Sequence, residues 1–157
     1  MGDLKECIEA EEENIRHALG QLPPVDRLSS LSELELAGTA AMLQSIYNGI
    51  ENVLKQTLLG SGRDIPMGAT WHRDLLRQVE ADHILNAATV ESLRPFMAFR
   101  HFFSHSYALD LDPDRMERLV VEAASVVDRI LNEVLIYITS REIGNGSATN
   151  CKACGCT

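Results

Sequence analysis

No run of apolar residues in this chain approaches the ~20 needed to span a bilayer. The first residues, Met1-Gly2-Asp3-Leu4-Lys5-Glu6, lack both the basic start and the apolar stretch of a secretory signal. The expectation is a cytoplasmic protein with no membrane segment. Four cysteines in 157 residues are too few for a disulfide scaffold, and three of them, Cys151, Cys154 and Cys156, crowd the last seven positions. They offer three thiolates where structural zinc takes four ligands, so no metal centre is expected there. No Gly-rich phosphate loop, no Gly-x-Ser-x-Gly elbow and no His-Glu-x-x-His is present, which removes the commonest nucleotide-hydrolysing, serine-hydrolase and metalloprotease readings. Sustained alternation of apolar and polar residues is also missing, which argues against a sheet.

Positive charge is scarce as well. Fourteen Lys and Arg stand against twenty-three Asp and Glu, giving a net charge of −9. Nucleic-acid binders usually carry a basic footprint, because neutralising phosphates supplies most of their non-specific affinity. A local basic cleft remains compatible with an acidic whole. Arg94, Arg100, His101 and His105 lie close together, whereas much of the acidity sits in Glu9, Glu11, Glu12 and Glu13.

What the chain does have is helical periodicity, with Gly and Pro clustered between long periodic segments. With 45% hydrophobic and 24% charged residues it reads as an ordinary globular domain, long enough to bury a core. A first helix is expected from about Asp3 to Leu19, stopped by Gly20 and the Leu22-Pro23-Pro24 turn. Ser30-x-x-Glu33 has the pattern of a capping box and opens the second. Leu36, Leu43, Tyr47, Ile50, Leu54 and Leu58 then form one stripe up to Gly60-Ser61-Gly62.

A short third helix starts near Thr70, and Asn86 to Thr89 read as a break. The fourth helix is expected from about Ser92 to near Ser106, with Pro95 in its first turn. Asp112-Pro113 caps the fifth, whose apolar seam runs from Met116 to Ile138. So wide a seam asks for several neighbours. The fold class is therefore all-α, an antiparallel bundle of about five helices. Residues 1–143 form the domain, and 144–157, Gly/Ser- and Cys-containing, read as a flexible tail.

The segment richest in chemistry is Arg100-His101-Phe102-Phe103-Ser104-His105-Ser106-Tyr107. It combines a fixed cation able to hold a phosphate, a group able to move protons at neutral pH, and a modifiable hydroxyl. Charge stabilisation plus proton transfer is what phosphodiester cleavage requires. Five residues on a helix amount to about 500°, so Arg100 and His105 point about 140° apart. A turn at the helix end, or a second copy of the chain, would be needed for them to converge. The plainer reading is a solvated Arg and a His⁺ that complements the helix C-terminus.

The Arg-x4-His-x-Tyr pattern in its helical setting resembles the HEPN superfamily and, more narrowly, the HepT-like ribonuclease toxins. Supporting it are Tyr47-Asn48-Gly49-Ile50-Glu51 followed by Lys55, Trp71-His72 before the third helix, and Asp110-Leu111-Asp112 before the fifth. The likeness covers about residues 4 to 140. It implies a HEPN-like homodimer in which two motifs meet at a shared cleft and RNA is the substrate. Cleavage would need no metal or other cofactor, with attack by the RNA 2′-hydroxyl on its own phosphate. Arg100 would contact the scissile phosphate and His105 would act as acid–base group, with Ser104 and His101 as possible support. His101 stands where a small polar residue, often Asn, is common in the family.

Tyr107 matches the position to which a partner enzyme of this family, a minimal nucleotidyltransferase antitoxin, transfers AMP in a type VII-like toxin–antitoxin pair. Lys55 is a further candidate for the RNA cleft, although Tyr47, Glu51 and Lys55 read first as a surface or interface strip with a Glu–Lys pair. His72 and His83 show no pairing that suggests a second active site. The alternative function is a non-catalytic helical dimer that binds its nucleotidyltransferase partner or a nucleotide.

Overall fold

The structure, a computed structural model, describes residues 3–105 and 110–144. It consists of α1 (Leu4–Gly20), a 3₁₀ turn (Val25–Ser30), α2 (Glu33–Gly60), α3 (Trp71–Ala81), α4 (Ala87–His105) and α5 (Pro113–Gly144). Among the described residues there is no strand, and no helix is long and apolar enough to cross a membrane. The fold is the expected all-α bundle.

Helices α1, α2, α4 and α5 start where the sequence supplies acceptors for their free N–H groups. Asp3 caps α1, and its own N–H donates to Glu6 Oε2 at 3.3 Å. Asp112 caps α5 through Asp114 N–H, 3.0 Å from its Oδ1, with Pro113 at the first helical position. The box that opens α2 lies two residues later than expected. Ser32 Oγ accepts from Glu35 N–H at 3.1 Å while Glu35 Oε1 accepts from Ser32 N–H at 3.3 Å. Ser30 instead ends the 3₁₀ turn, its hydroxyl donating to the Arg27 carbonyl.

The start of α4 is a larger correction. It begins at Ala87, five residues before Ser92, because Asn86 caps it: Asn86 Oδ1 accepts from Thr89 N–H at 2.8 Å. Glu133, reaching across from α5, accepts from Asn86 N–H at 2.8 Å and from the Thr89 hydroxyl at 2.5 Å. A carboxylate there also complements the positive end of the helix. Pro95 is consequently inside the helix and not in its first turn, which removes one helical hydrogen bond.

The helices pack antiparallel where their contacts are specific. Gly60 of α2 meets Leu4 of α1, and Gly49 meets Ile15. The core is continuous, from Leu4 and Ile15 through the stripe of α2 to Leu75, Leu76, Val90, Leu93 and Phe96, and on to Met116, Val127, Ile130 and Val134 of α5.

Two glycines of α2 give opposite expectations. At Gly49 a Cβ would lie 2.5 Å from Ile15 Cγ1, near the branch point of a fully buried side chain. At Gly38, exposed on the same helix, a Cβ would meet nothing within 4 Å. Gly38→Ala should therefore stabilise by about 0.5–1 kcal/mol through helix propensity alone. Gly49→Ala adds overpacking of about 1–3 kcal/mol and should come out destabilised. Urea unfolding of both variants measures the sign of each.

Candidate functional site

The facing surfaces of α2 and α4 build the site. Gln44, Asn48, Glu51 and Lys55 recur at three- and four-residue spacing along one side of α2, and Arg100 and Ser104 do so on α4. Gln44 Nε2 lies 3.5 Å from Ser104 Oγ, and Asn48 Oδ1 accepts from Arg100 Nε–H at 2.8 Å. The two helices therefore run antiparallel in this register.

Arg100 is half-buried and held at two points. Besides the Asn48 bond, its Nη1 lies 3.1 Å from Nε2 of His72, at the start of α3. His72 Nδ1 in turn lies 2.5 Å from Oε1 of Glu51, a side chain only 3% exposed. A guanidinium can only donate, so His72 Nε2 must be the acceptor. The ring proton therefore sits on Nδ1 and is donated to Glu51. A guanidinium carries five N–H groups; two of Arg100's are used in these bonds, and the other three meet no acceptor among the described residues.

The surroundings reinforce this chain. Tyr47, one turn before Glu51, is fully buried, its hydroxyl enclosed beside the Glu51 carboxylate. Burial above all, and then the neighbouring Glu51 carboxylate, hold its phenol far above the ordinary value, with Arg100 pulling weakly the other way. Tyr47 stays protonated at any physiological pH and cannot act as a base. The Trp71 ring packs on His72 at 3.5 Å between centroids, tilted by 32°. Lys55 Nζ sits 4.9 Å from the Trp71 centroid, a cation–π distance.

These contacts correct three readings of the sequence. Tyr47 and Glu51 are buried within the chain, not part of a surface or interface strip. Glu51 pairs with His72 and not with Lys55, which turns to Trp71. His72 does have an acidic partner, supplied from another helix. A visible signal existed, since Trp71-His72 follows a helix that carries buried Tyr47 and Glu51 at i and i+4. What the sequence lacked was the pairing of two segments 21 residues apart.

His101 and His105 lie on a different side of α4. His105 is still helical, so the chain does not turn there to bring it round to Arg100. Its ring instead packs edge-on against His101 at 4.7 Å between centroids, and both residues are exposed. Ser104 faces α2 beside Arg100, its hydroxyl donating to the Arg100 carbonyl at 2.8 Å. Tyr107 lies outside the described residues, as do Cys151, Cys154 and Cys156. The structure thus brings Arg100 together with Asn48, His72 and Ser104, and His101 with His105, without joining the two groups.

On the far side of α4 a separate cavity of about 290 Å³ opens towards α5, lined by Pro95, Phe99, Phe102, Leu111, Arg115 and Leu119. It contains no residue of the Arg100 network.

Comparison with known proteins finds no match among curated proteins and none among solved structures. A protein family does match: the sequence profile described as HepT-like protein fits residues 38–140. That span runs from the second turn of α2 into α5 and contains Asn48, Glu51, His72, Arg100 and His105. With the profile covering well over half of the sequence, the chain belongs to the HepT-like protein family.

Proposed function

We propose that this protein is a metal-independent, RNA-cleaving toxin of a type VII-like toxin–antitoxin pair, acting as a homodimer. One observation carries the reading: in a HepT-like chain, Arg100 is locked in place with unused N–H groups while an exposed histidine stands on the last turn of the same helix. In-line attack of a 2′-hydroxyl on the adjacent phosphate needs charge stabilisation on the non-bridging oxygens and proton transfer at the attacking and leaving oxygens. Arg100 supplies the first and His105 the second. Ser104 and His101 adjoin this pair, and Lys55 is a further cation on the same face of α2.

The divergence of Arg100 and His105 favours a dimer. Within one chain Arg100 faces α2 and His105 faces outward. A second copy, related by two-fold symmetry around the α4 helices, brings its own histidine to the phosphate that Arg100 holds. Light scattering at micromolar concentration should give close to twice the 17.4 kDa chain mass. A strict monomer that still cuts RNA would rule out the shared cleft.

The nucleotidyltransferase antitoxin is the proposed protein partner, and Tyr107 the residue it modifies. The net charge of −9 favours a second reading, a non-catalytic dimer that binds that partner or a nucleotide. Expression of the wild type and of His105→Ala, scored for growth and RNA integrity together, separates the two. The toxin reading requires growth arrest with RNA loss in the wild type alone. Equal growth with intact RNA in both leaves only the binding module.

A further inference from the structure

We infer that Asn48, His72 and Glu51 form a positioning chain that fixes the direction of the Arg100 guanidinium, with the His72 tautomer as its central link. The inference rests on the reading of Arg100 as the phosphate-binding group and adds to it the residues that aim that group.

An arginine on a helix surface has four rotatable side-chain torsions and samples many directions, whereas stabilising a developing charge demands one. Here the guanidinium plane is defined by two bonds to two different elements, Nε–H to Asn48 on α2 and Nη1–H to His72 on α3. Committing Nε–H to Asn48 removes the side-on fork. What remains for an anion is the outer end of the group, both N–H of Nη2 and one of Nη1.

His72 can accept from Arg100 only while its proton is on Nδ1. Free imidazole exchanges between tautomers, so something must select one. Glu51 is that element: its Oε1 lies 2.5 Å from Nδ1, and the carboxylate is almost wholly buried on α2. A buried acceptor unable to reach water holds the proton far more strictly than a solvated one. The Trp71 ring against His72 keeps the imidazole from rotating away. The chain Glu51–His72–Arg100 thus couples a core carboxylate to a surface cation, as the carboxylate–histidine pairs behind metal ligands orient those ligands.

The residues are positioning and not catalytic, because none of their described contacts reaches past Arg100. Their effect must disappear when Arg100 is absent. The test uses the full-length chain and two independent readouts. Long-range ¹H–¹⁵N correlation spectra of the histidines should show His72 as the Nδ1–H tautomer, and Glu51→Ala should move it towards Nε2–H. A wild-type His72 in the Nε2–H form overturns the inference, whether or not the protein cuts RNA.

The second readout is RNA cleavage. His72→Phe should lower kcat about tenfold or more, on the lower side of the scale for groups acting in the transition state. His72→Gln, which restores an acceptor near the Nε2 position, should recover part of that loss. In an Arg100→Ala background His72→Phe should add nothing. Losses that multiply in the double variant mean that His72 acts independently of Arg100 and also overturn the inference. If Phe at 72 prevents folding, Asn48→Ala in the same two backgrounds replaces it. A wild type that leaves RNA intact contradicts the toxin reading alone, because the tautomer measurement still decides the positioning chain.

Discussion

Purified protein is expected to cleave RNA in the presence of EDTA, and Arg100→Ala and His105→Ala should each reduce the rate by about 10²-fold or more. The two losses have different origins. Removing Arg100 takes away a fixed positive charge at the oxygens where negative charge grows. The half-buried acceptors behind it, Asn48 Oδ1 and His72 Nε2, would then lose their donor. Removing His105 takes away a proton carrier from an exposed helical turn, where no hydrogen bond to it is formed among the described residues. The Arg100 variant should therefore lose some folding stability together with activity, and the His105 variant should keep its stability.

The same comparison distinguishes His105 from His101. Their rings touch, so either histidine stands within a few ångströms of the other's position. If cleavage persists in His105→Ala and vanishes in His101→Ala, the acid–base role passes to His101. Full activity in both the Arg100 and His105 variants sinks the assignment. Loss of activity on chelation would point to a metal mechanism in its place.

Much of the fold was legible from spacing. Gly20, Gly60 and Asp112-Pro113 mark helix ends because their chemistry is local: a poor helix former, a cap, a fixed φ. The start of α4 was misplaced because its decisive stabiliser is not local. Glu133 lies 47 residues from Asn86 and 44 from Thr89, and no pattern around Asn86 announces it. Propensity favoured a helix opening just before Pro95, and a tertiary hydrogen bond overrode it.

The candidate site divides along the same line. Arg100 and His105 share one helix and could be read from eight residues. The groups that hold Arg100 come from α2 and α3, 52 and 28 residues away. Glu51 was visible as the end of the Tyr47-x-x-x-Glu51 element and as half of an i, i+4 pair with Lys55, a pair worth ~0.2–0.5 kcal/mol on an exposed helix. Burial reversed that preference. A carboxylate taken out of water gains more from a histidine it can bond directly than from a lysine able to remain solvated. Tyr47, Ile50 and Leu54, which flank position 51 and were read as the apolar stripe of α2, are all buried with it.

The last expectation concerns control of the proposed toxin, and its predicted effect is complete silencing. Tyr107 stands two residues after His105, the last described residue of α4. An adenylate joined to its hydroxyl adds about one negative charge through the new phosphodiester, close in sequence to the groups meant to bind the phosphate of RNA. Two unit charges 4 Å apart interact by about 1 kcal/mol in water and by about 4 kcal/mol near a protein surface of intermediate dielectric, so repulsion sharpens as the cleft excludes solvent. The adenosine also occupies volume where the substrate strand must pass. After incubation with ATP, Mg²⁺ and the cognate nucleotidyltransferase, intact-mass measurement should show whole AMP increments and RNA cleavage should cease. Tyr107→Phe should acquire no such increment, continue to cut RNA, and remain toxic when the partner is co-expressed. That pairing of results matters, because modification of another tyrosine would still add mass in the Phe variant. Tyr47 is not a competitor for the adenylate, being fully buried in the core with a phenol held protonated. Tyr137, whose hydroxyl accepts from Arg141 Nη1–H at 2.6 Å on α5, is the alternative acceptor among the described residues, and Tyr137→Phe serves as the control. If the partner silences the wild type with no change in mass, inhibition proceeds by occlusion of the cleft, and Tyr107 has no part in it as an acceptor.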